Sequence, residues 1–159
     1  MTNILRSALL GTLLTIGTAA LAAGTAVDPV IGTWKLNVAK SKFGSSHVLK
    51  SQTRIYSQSD KGITIEMKSV SADGKDMTTI ATYQFDGKDY PVTGAAEYDS
   101  LSGRQIDANT AEFTLKKAGK TVATTRRTVS KDGKILTATA DSSDAKGMKS
   151  QDLMVFDKQ

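Results

Sequence analysis

The residues able to do chemistry in this 159-residue chain are few. His47 is the only histidine and there is no cysteine, which leaves almost no room for Ser-His-Asp or His-pair catalysis, thiolate nucleophiles or His/Cys metal sites. Carboxylates are plentiful, but most stand in turn sequences such as Asp73-Gly74, Asp86-Gly87 and Asp132-Gly133, where the side chain serves the turn. Glu66 and Glu112 fall mid-strand on polar faces, and nothing in their spacing pairs them for acid–base or glycosidic work. No glycine-rich phosphate loop precedes a helix. The expectation is a protein that is not an enzyme, with no catalytic residue, no metal and no cofactor.

The basic residues carry more promise. Arg126 and Arg127 are sequential, so in a strand their side chains point to opposite faces, and one of them enters the interior. A buried guanidinium needs an anionic or π partner: the single tryptophan, Trp34, a buried acid, or the carboxylate of a ligand. Candidate ligand contacts are therefore Arg104, Arg126 and Arg127 together with Tyr83, Phe85, Phe113 and Phe156. Tyr90 and Tyr98 could add hydroxyls, although tyrosine is equally at home on a half-buried sheet.

These side chains need a frame, and the frame begins at Ile31-Gly32-Thr33-Trp34-Lys35-Leu36. Gly32 permits close backbone approach and Trp34 offers the largest apolar surface a side chain can bury. Gly32 and Trp34 form the Gly-x-Trp pattern that closes the base of lipocalin-type barrels, where an arginine from a late strand often crosses the indole. The same residues also suit the main core aromatic of any small β domain. After Leu36, Asn37 can cap one helical turn reaching Lys42, with Phe43 folding back onto the core. Gly44-Ser45-Ser46 reads as a loop.

From Val48 onward turn chemistry recurs at Asp60-Lys61-Gly62, Asp73-Gly74-Lys75, Asp86-Gly87-Lys88, Asp107-Ala108-Asn109, Ala118-Gly119-Lys120, Asp132-Gly133-Lys134 and Ala145-Lys146-Gly147. The runs between are rich in Thr, Val, Ile, Tyr and Phe, which means short antiparallel strands in series. Ile63, Ile65 and Met67 share a face. Met77, Ala81, Tyr83 and Phe85 share another, with Ile80 breaking the polarity. Ala111, Phe113 and Leu115 form a third. The pattern predicts an all-β, antiparallel up-and-down barrel of eight or nine strands, with a two-sheet sandwich as the alternative. The strands fall at about 31–36, 48–58, 63–71, 77–85, 98–106, 110–117, 121–130, 135–142 and 148–157. Runs 121–130 and 135–142 mix Thr and Ala with few large apolar groups, so they either line a roomy, partly wet interior or form a solvent-exposed side.

Residues 1–22 read as a secretory signal peptide. Arg6 supplies the positive start, residues 8–21 an uncharged apolar run of 14, and Ala20-Leu21-Ala22 the small-x-small cleavage site. Fourteen residues fall short of the roughly 18–20 that span a bilayer, so no transmembrane segment is expected in the mature chain. Cleavage would leave 159 − 22 = 137 residues, arranged as a short tail over 23–30 and one barrel domain over 31–159, periplasmic or secreted and monomeric. The formal charge of +5 falls to +4 with Arg6 removed. Segment 29–59 carries five bases and no acid, and 116–134 seven bases against Asp132 alone. Such segments could attract anionic headgroups or glycans, or simply keep sheet edges from pairing. Nucleic acid is not expected as a partner.

Several stretches resemble a family of small exported bacterial proteins described as lipocalin-like. They are Gly32-Thr33-Trp34-Lys35-Leu36-Asn37 with Ala39-Lys40-Ser41-Lys42-Phe43, the run from Phe85 to Gly94, the run from Arg104 to Thr110, Ser130-Lys131-Asp132-Gly133-Lys134, and Val155-Phe156-Asp157-Lys158. The resemblance spans nearly the whole mature chain and implies a small β-barrel of calycin type, without specifying a ligand. A more distant likeness is to fatty-acid-binding barrels, which also open on Gly-Thr-Trp-Lys-Leu. Those barrels hold a carboxylate with Arg-x-Tyr on the last strand, where this chain has Met154 and Phe156, and their helix-turn-helix lid is longer than 37–47. The Thr-Asp-Tyr motif of lipocalins proper is also missing. The expected role is non-covalent binding of a small hydrophobic or amphipathic molecule inside the barrel. The first alternative is an envelope interaction module with a basic outer face, and the second is an enzyme, which would need a paired, perturbed carboxylate set in a cleft.

Overall fold

The computed structural model describes residues 27–44, 48–143 and 147–159. The signal-peptide reading and His47 lie outside these residues. Ten strands follow in order: β1 (Gly32–Leu36), β2 (Leu49–Ser59), β3 (Gly62–Ser71), β4 (Asp76–Tyr83), β5 (Tyr90–Thr93), β6 (Ser100–Gln105), β7 (Thr110–Lys117), β8 (Lys120–Val129), β9 (Ile135–Ser143) and β10 (Lys149–Lys158). Each pairs antiparallel with its sequence neighbour, and β1 closes the ring on β10 through Trp34↔Lys158 and Leu36↔Phe156. The sheet therefore closes on itself as a barrel, not a sandwich.

Ten strands replace the eight or nine expected. The addition is β5, a four-residue strand containing Pro91, held by two registered pairs to β4 and two to β6. Proline removes a ladder donor and four residues are too few to show alternation, so the run reads as part of a loop. Elsewhere the turn chemistry places the strands. Ala118 (φ 48°) and Gly119 (φ 77°) form the β7–β8 turn with left-handed backbone at both central positions. The Ala118 N–H donates to the Asp99 carboxylate at 2.9 Å, which helps hold that alanine in a conformation it otherwise avoids.

Alternation decides what enters the lumen. Ile80, which broke the sequence pattern, points outward and is exposed, while its neighbours Ala81 and Tyr83 are buried inside. The 37–44 segment makes one 3-10 turn, Val38–Lys40, capped by the Asn37 side chain. It then lies along β10 through Lys42↔Leu153, with Phe43 packed on the core.

The two ends of the barrel differ. At one end Trp34, Val30, Leu136 and Phe156 are fully buried, with Val129 and Tyr83 nearly so. Toward the other end the same inward faces carry Met77, Thr79, Ala123, Thr125, Ala140, Ser142 and Ser150, each only half-buried. The Thr/Ala strands β8 and β9 thus contribute small inward groups to an open half-lumen and threonines to the outer wall.

Candidate functional site

The closed end is built around a turn at Asp28-Pro29-Val30-Ile31. Proline presets the second turn position and aspartate suits the first. The Ile31 N–H donates to the Asp28 carbonyl (2.9 Å) and the Val30 N–H to the Asp28 carboxylate (2.9 Å). The indole N–H of Trp34 then donates to the Val30 carbonyl at 2.7 Å, tying the turn across the barrel base. Asp28 and Val30 are buried, so the core begins three residues before the expected boundary at Ile31.

Of the expected site residues, Arg127, Tyr83, Phe85 and Phe113 meet here. Arg127 points inward, bonds Asp28 at 3.1 Å and the Tyr83 hydroxyl at 3.2 Å, and lies 5.6–5.8 Å from the ring centres of Tyr56, Phe85 and Phe113. Burial raises the Tyr83 phenol well above its usual range, and the adjacent Arg127 charge only partly opposes this. The cation over Trp34 is not an arginine but Lys158, with Nζ 5.0 Å from the ring centre. Gly32 allows this, since a Cβ there would stand 3.1 Å from the lysine stem. Gly103 is similarly required: a Cβ would come within 2.9 Å of the Phe113 ring.

Arg104 and Arg126 are on the outer wall. Register places Glu112 between them, and it accepts from both, at 2.6 and 2.7 Å. Arg104, first, and Arg126 hold the Glu112 carboxyl below its ordinary pKa. A groove of about 530 Å³ beside this trio is lined by Thr114, Thr124 and Thr139. A second groove, about 380 Å³, lies at the closed end beside Val27 and Gln105.

On the open side of the plug, beside Trp34 and Phe156, the lumen holds a group that sequence reasoning missed. On β2, Gln52, Arg54 and Tyr56 share the inward face, and all three are buried. Arg54 lies 4.3 Å from the centre of the Phe156 ring, donates through Nε to Gln52 Oε1 at 2.7 Å, and directs Nη2 to Met154 Sδ at 3.6 Å. Gln52 is itself fixed, its Nε2 donating to Ser69 Oγ at 2.7 Å. Among the described residues no carboxylate pairs with Arg54, and its Nη1 has no acceptor. Burial raises the Tyr98 phenol, and the Arg54 charge partly opposes this. Phe156 is the one expected ligand residue that belongs to this group. The signal was available: Tyr56 is the aromatic of its strand, and period two from it runs through Arg54 and Gln52.

Chemically, this arrangement can receive an anion at a preoriented guanidinium with thioether and aromatic surface around it. No cluster of three or more His, Cys, Asp or Glu side chains able to hold a metal occurs among the described residues. No helix among the described residues is long and apolar enough to cross a membrane.

No protein-family model matches this sequence, and no curated protein matches it. Two solved structures are similar in shape. One is a redesigned β-barrel, mFAP1, bound to DFHBI, at 14% identity and a TM-score of 0.41, covering 82% of this chain and 95% of that one. The other is the siderocalin Ex-FABP, described as functioning through dual ligand specificities, at 13% identity and a TM-score of 0.37, covering 82% and 74%. The closed antiparallel barrel is established by the chain's own ladders.

Proposed function

We propose that this barrel binds, without covalent or catalytic chemistry, a small amphipathic molecule whose anionic group contacts Arg54 on the open side of the plug. The observation that carries the reading is a buried arginine with no carboxylate of its own among the described residues. Burying a guanidinium costs several kcal/mol unless an anion compensates it, so an unpaired one inside a lumen is a place prepared for a partner. Met67, Met77 and Met154, partly buried on inward faces, supply adaptable apolar surface for the rest of the ligand. The outer wall offers less, because its arginines Arg104 and Arg126 are already shared by Glu112. The signal-like start supports a working place outside the cytoplasm, in the periplasm or beyond.

The test is titration of an anionic fluorescent probe, 1-anilinonaphthalene-8-sulfonate, into the purified chain, with native mass spectrometry of gently prepared protein alongside. Saturable uptake and an adduct of a few hundred daltons lost on denaturation are expected. Arg54→Met weakens probe binding at least tenfold, and Arg126→Met leaves it unchanged. Equal affinity in wild type and Arg54→Met overturns the proposal.

A further inference from the structure

The register places Gln52 on the open side of Arg54, level with Ser69 and Met77 on the next two strands. The β5–β6 connection leaves the wall close to that level, beside Thr78. Gly94 stands there with φ 82°, and a Cβ on it would run into the Thr78 carbonyl, so the turn away from β4 requires glycine. The connection rejoins the wall at Asp99, which is firmly pinned. Its N–H donates to the Lys116 carbonyl at 2.9 Å, its carbonyl accepts from the Val92 N–H at 2.8 Å, and its carboxylate accepts from the Ala118 N–H at 2.9 Å.

Between these two points, residues 95–98 make no hydrogen bond, backbone or side-chain, among the described residues. Ala95 and Tyr98 hold them by packing on the buried core, while Ala96 and Glu97 are exposed. The other described connections at this end are fastened differently. The 37–44 segment is bonded to β10 through Lys42, Ser41 and Gly44. The β3–β4 turn is closed by the Ser71 N–H on the Lys75 carbonyl and tied to the neighbouring wall by the Ala72 N–H on the Val48 carbonyl. A segment whose release breaks no hydrogen bond opens at lower free energy than its bonded neighbours. The wedge that keeps it seated is Tyr98, whose phenol burial raises against the opposing Arg54 charge.

We propose that residues 94–99 form a lid across the approach to Arg54, swinging between Gly94 and Asp99, with Tyr98 as a stopper that withdraws to admit a ligand and reseats behind it. This rests on the reading of Arg54 as an anion contact. It adds that entry is limited by lid opening and not by diffusion into an open mouth.

Stopped-flow mixing of the whole folded chain with increasing 1-anilinonaphthalene-8-sulfonate reads the entry step. In wild type the observed rate levels off at high probe concentration, at the rate of lid opening. Tyr98→Ala raises that ceiling at least tenfold. Tyr98→Phe keeps it, because the hydroxyl has no hydrogen-bond partner to lose among the described residues. Tyr98→Leu raises the ceiling by a smaller factor and covers the case in which Tyr98→Ala folds poorly. Loss of packing without a lid would lower affinity and leave the rate of entry where it was. If the wild-type rate climbs linearly with probe concentration, or the Tyr98 variants take up probe no faster, the lid inference fails while the Arg54 reading stands. If the probe does not bind wild type, or binds Arg54→Met equally well, the Arg54 reading fails and the lid with it.

Discussion

Arg127 and Arg54 both point into one lumen, 4% and 9% exposed, and the chain surrounds them differently. Arg127 has a carboxylate from the N-terminal turn, a phenol from β4 and three aromatic faces. Arg54 has an amide, a thioether and one ring. The carboxylate makes the difference. At the closed end a buried cation is completed by the protein's own acid and serves as part of the plug. On the open side of the plug it is oriented but, among the described residues, left without a carboxylate, which is a poor way to build stability and a good way to build a receptor.

Breaking the closed-end pair gives the largest effect. Asp28→Ala removes the only carboxylate partner of Arg127 among the described residues and strands the charge, at a cost of about 3–5 kcal/mol. The double variant Asp28→Ala with Arg127→Met recovers much of that loss, because no buried charge then remains. Urea unfolding of the single and double variants measures both, and equal stability of Asp28→Ala and wild type removes Arg127 from the plug.

Packing sharpens the same contrast. Gly103→Ala forces a methyl to 2.9 Å from the Phe113 ring and destabilises by about 1–3 kcal/mol, as overpacking does. Ala140→Val, on the half-buried inward face of β9, stays within about 0.5 kcal/mol. Thermal melts of the two variants check this. Equal penalties would mean that the open half is as tightly filled as the closed one.

Much of this contrast was legible in the sequence, and its failures are instructive. The opposite facing of Arg126 and Arg127 follows from strand geometry alone, and the turn residues located nine strands. Strand β5 escaped because Pro91 and a four-residue length conceal alternation. The partner of Arg127 lay in 23–30, read as a tail because Asp28-Pro29-Val30 shows no periodicity, yet Trp34 reaches back to it across the base. Arg54 was counted only as surface charge. A basic residue on a strand ordinarily marks the solvent face, and only the buried Tyr56 two positions on reveals the inward one. The pairing of residues 28 with 127, or 54 with 154, is a product of closure and is invisible to local pattern.

Arg54→Met is expected to raise stability by about 1 kcal/mol, since it exchanges an uncompensated buried cation for an apolar chain of similar length. Gain of stability with loss of anion binding is the signature of a site that evolution has left strained for function. A melting temperature several degrees below wild type would instead place Arg54 with Arg127 among the structural cations.

The smallest effect concerns the outer wall, where charge is neither buried nor idle. Glu112 accepts from Arg104 and Arg126, and those contacts hold its pKa below the ordinary 4.5. A carboxylate whose folded pKa is depressed contributes stability that is fully present above the unfolded value and lost as pH falls through the folded one. The wild type should therefore lose stability relative to Glu112→Gln as pH falls below about 4.5, and hold a small constant advantage above it. Melting temperatures of the two proteins between pH 3 and 7 test this, with the gap closing at the acid end and shrinking in high salt. A gap that persists unchanged at pH 3 would mean that the Arg104–Glu112–Arg126 trio acts through packing instead of charge. The outer wall would then resemble the closed end in holding its arginines for structure, leaving Arg54 the exception in the barrel.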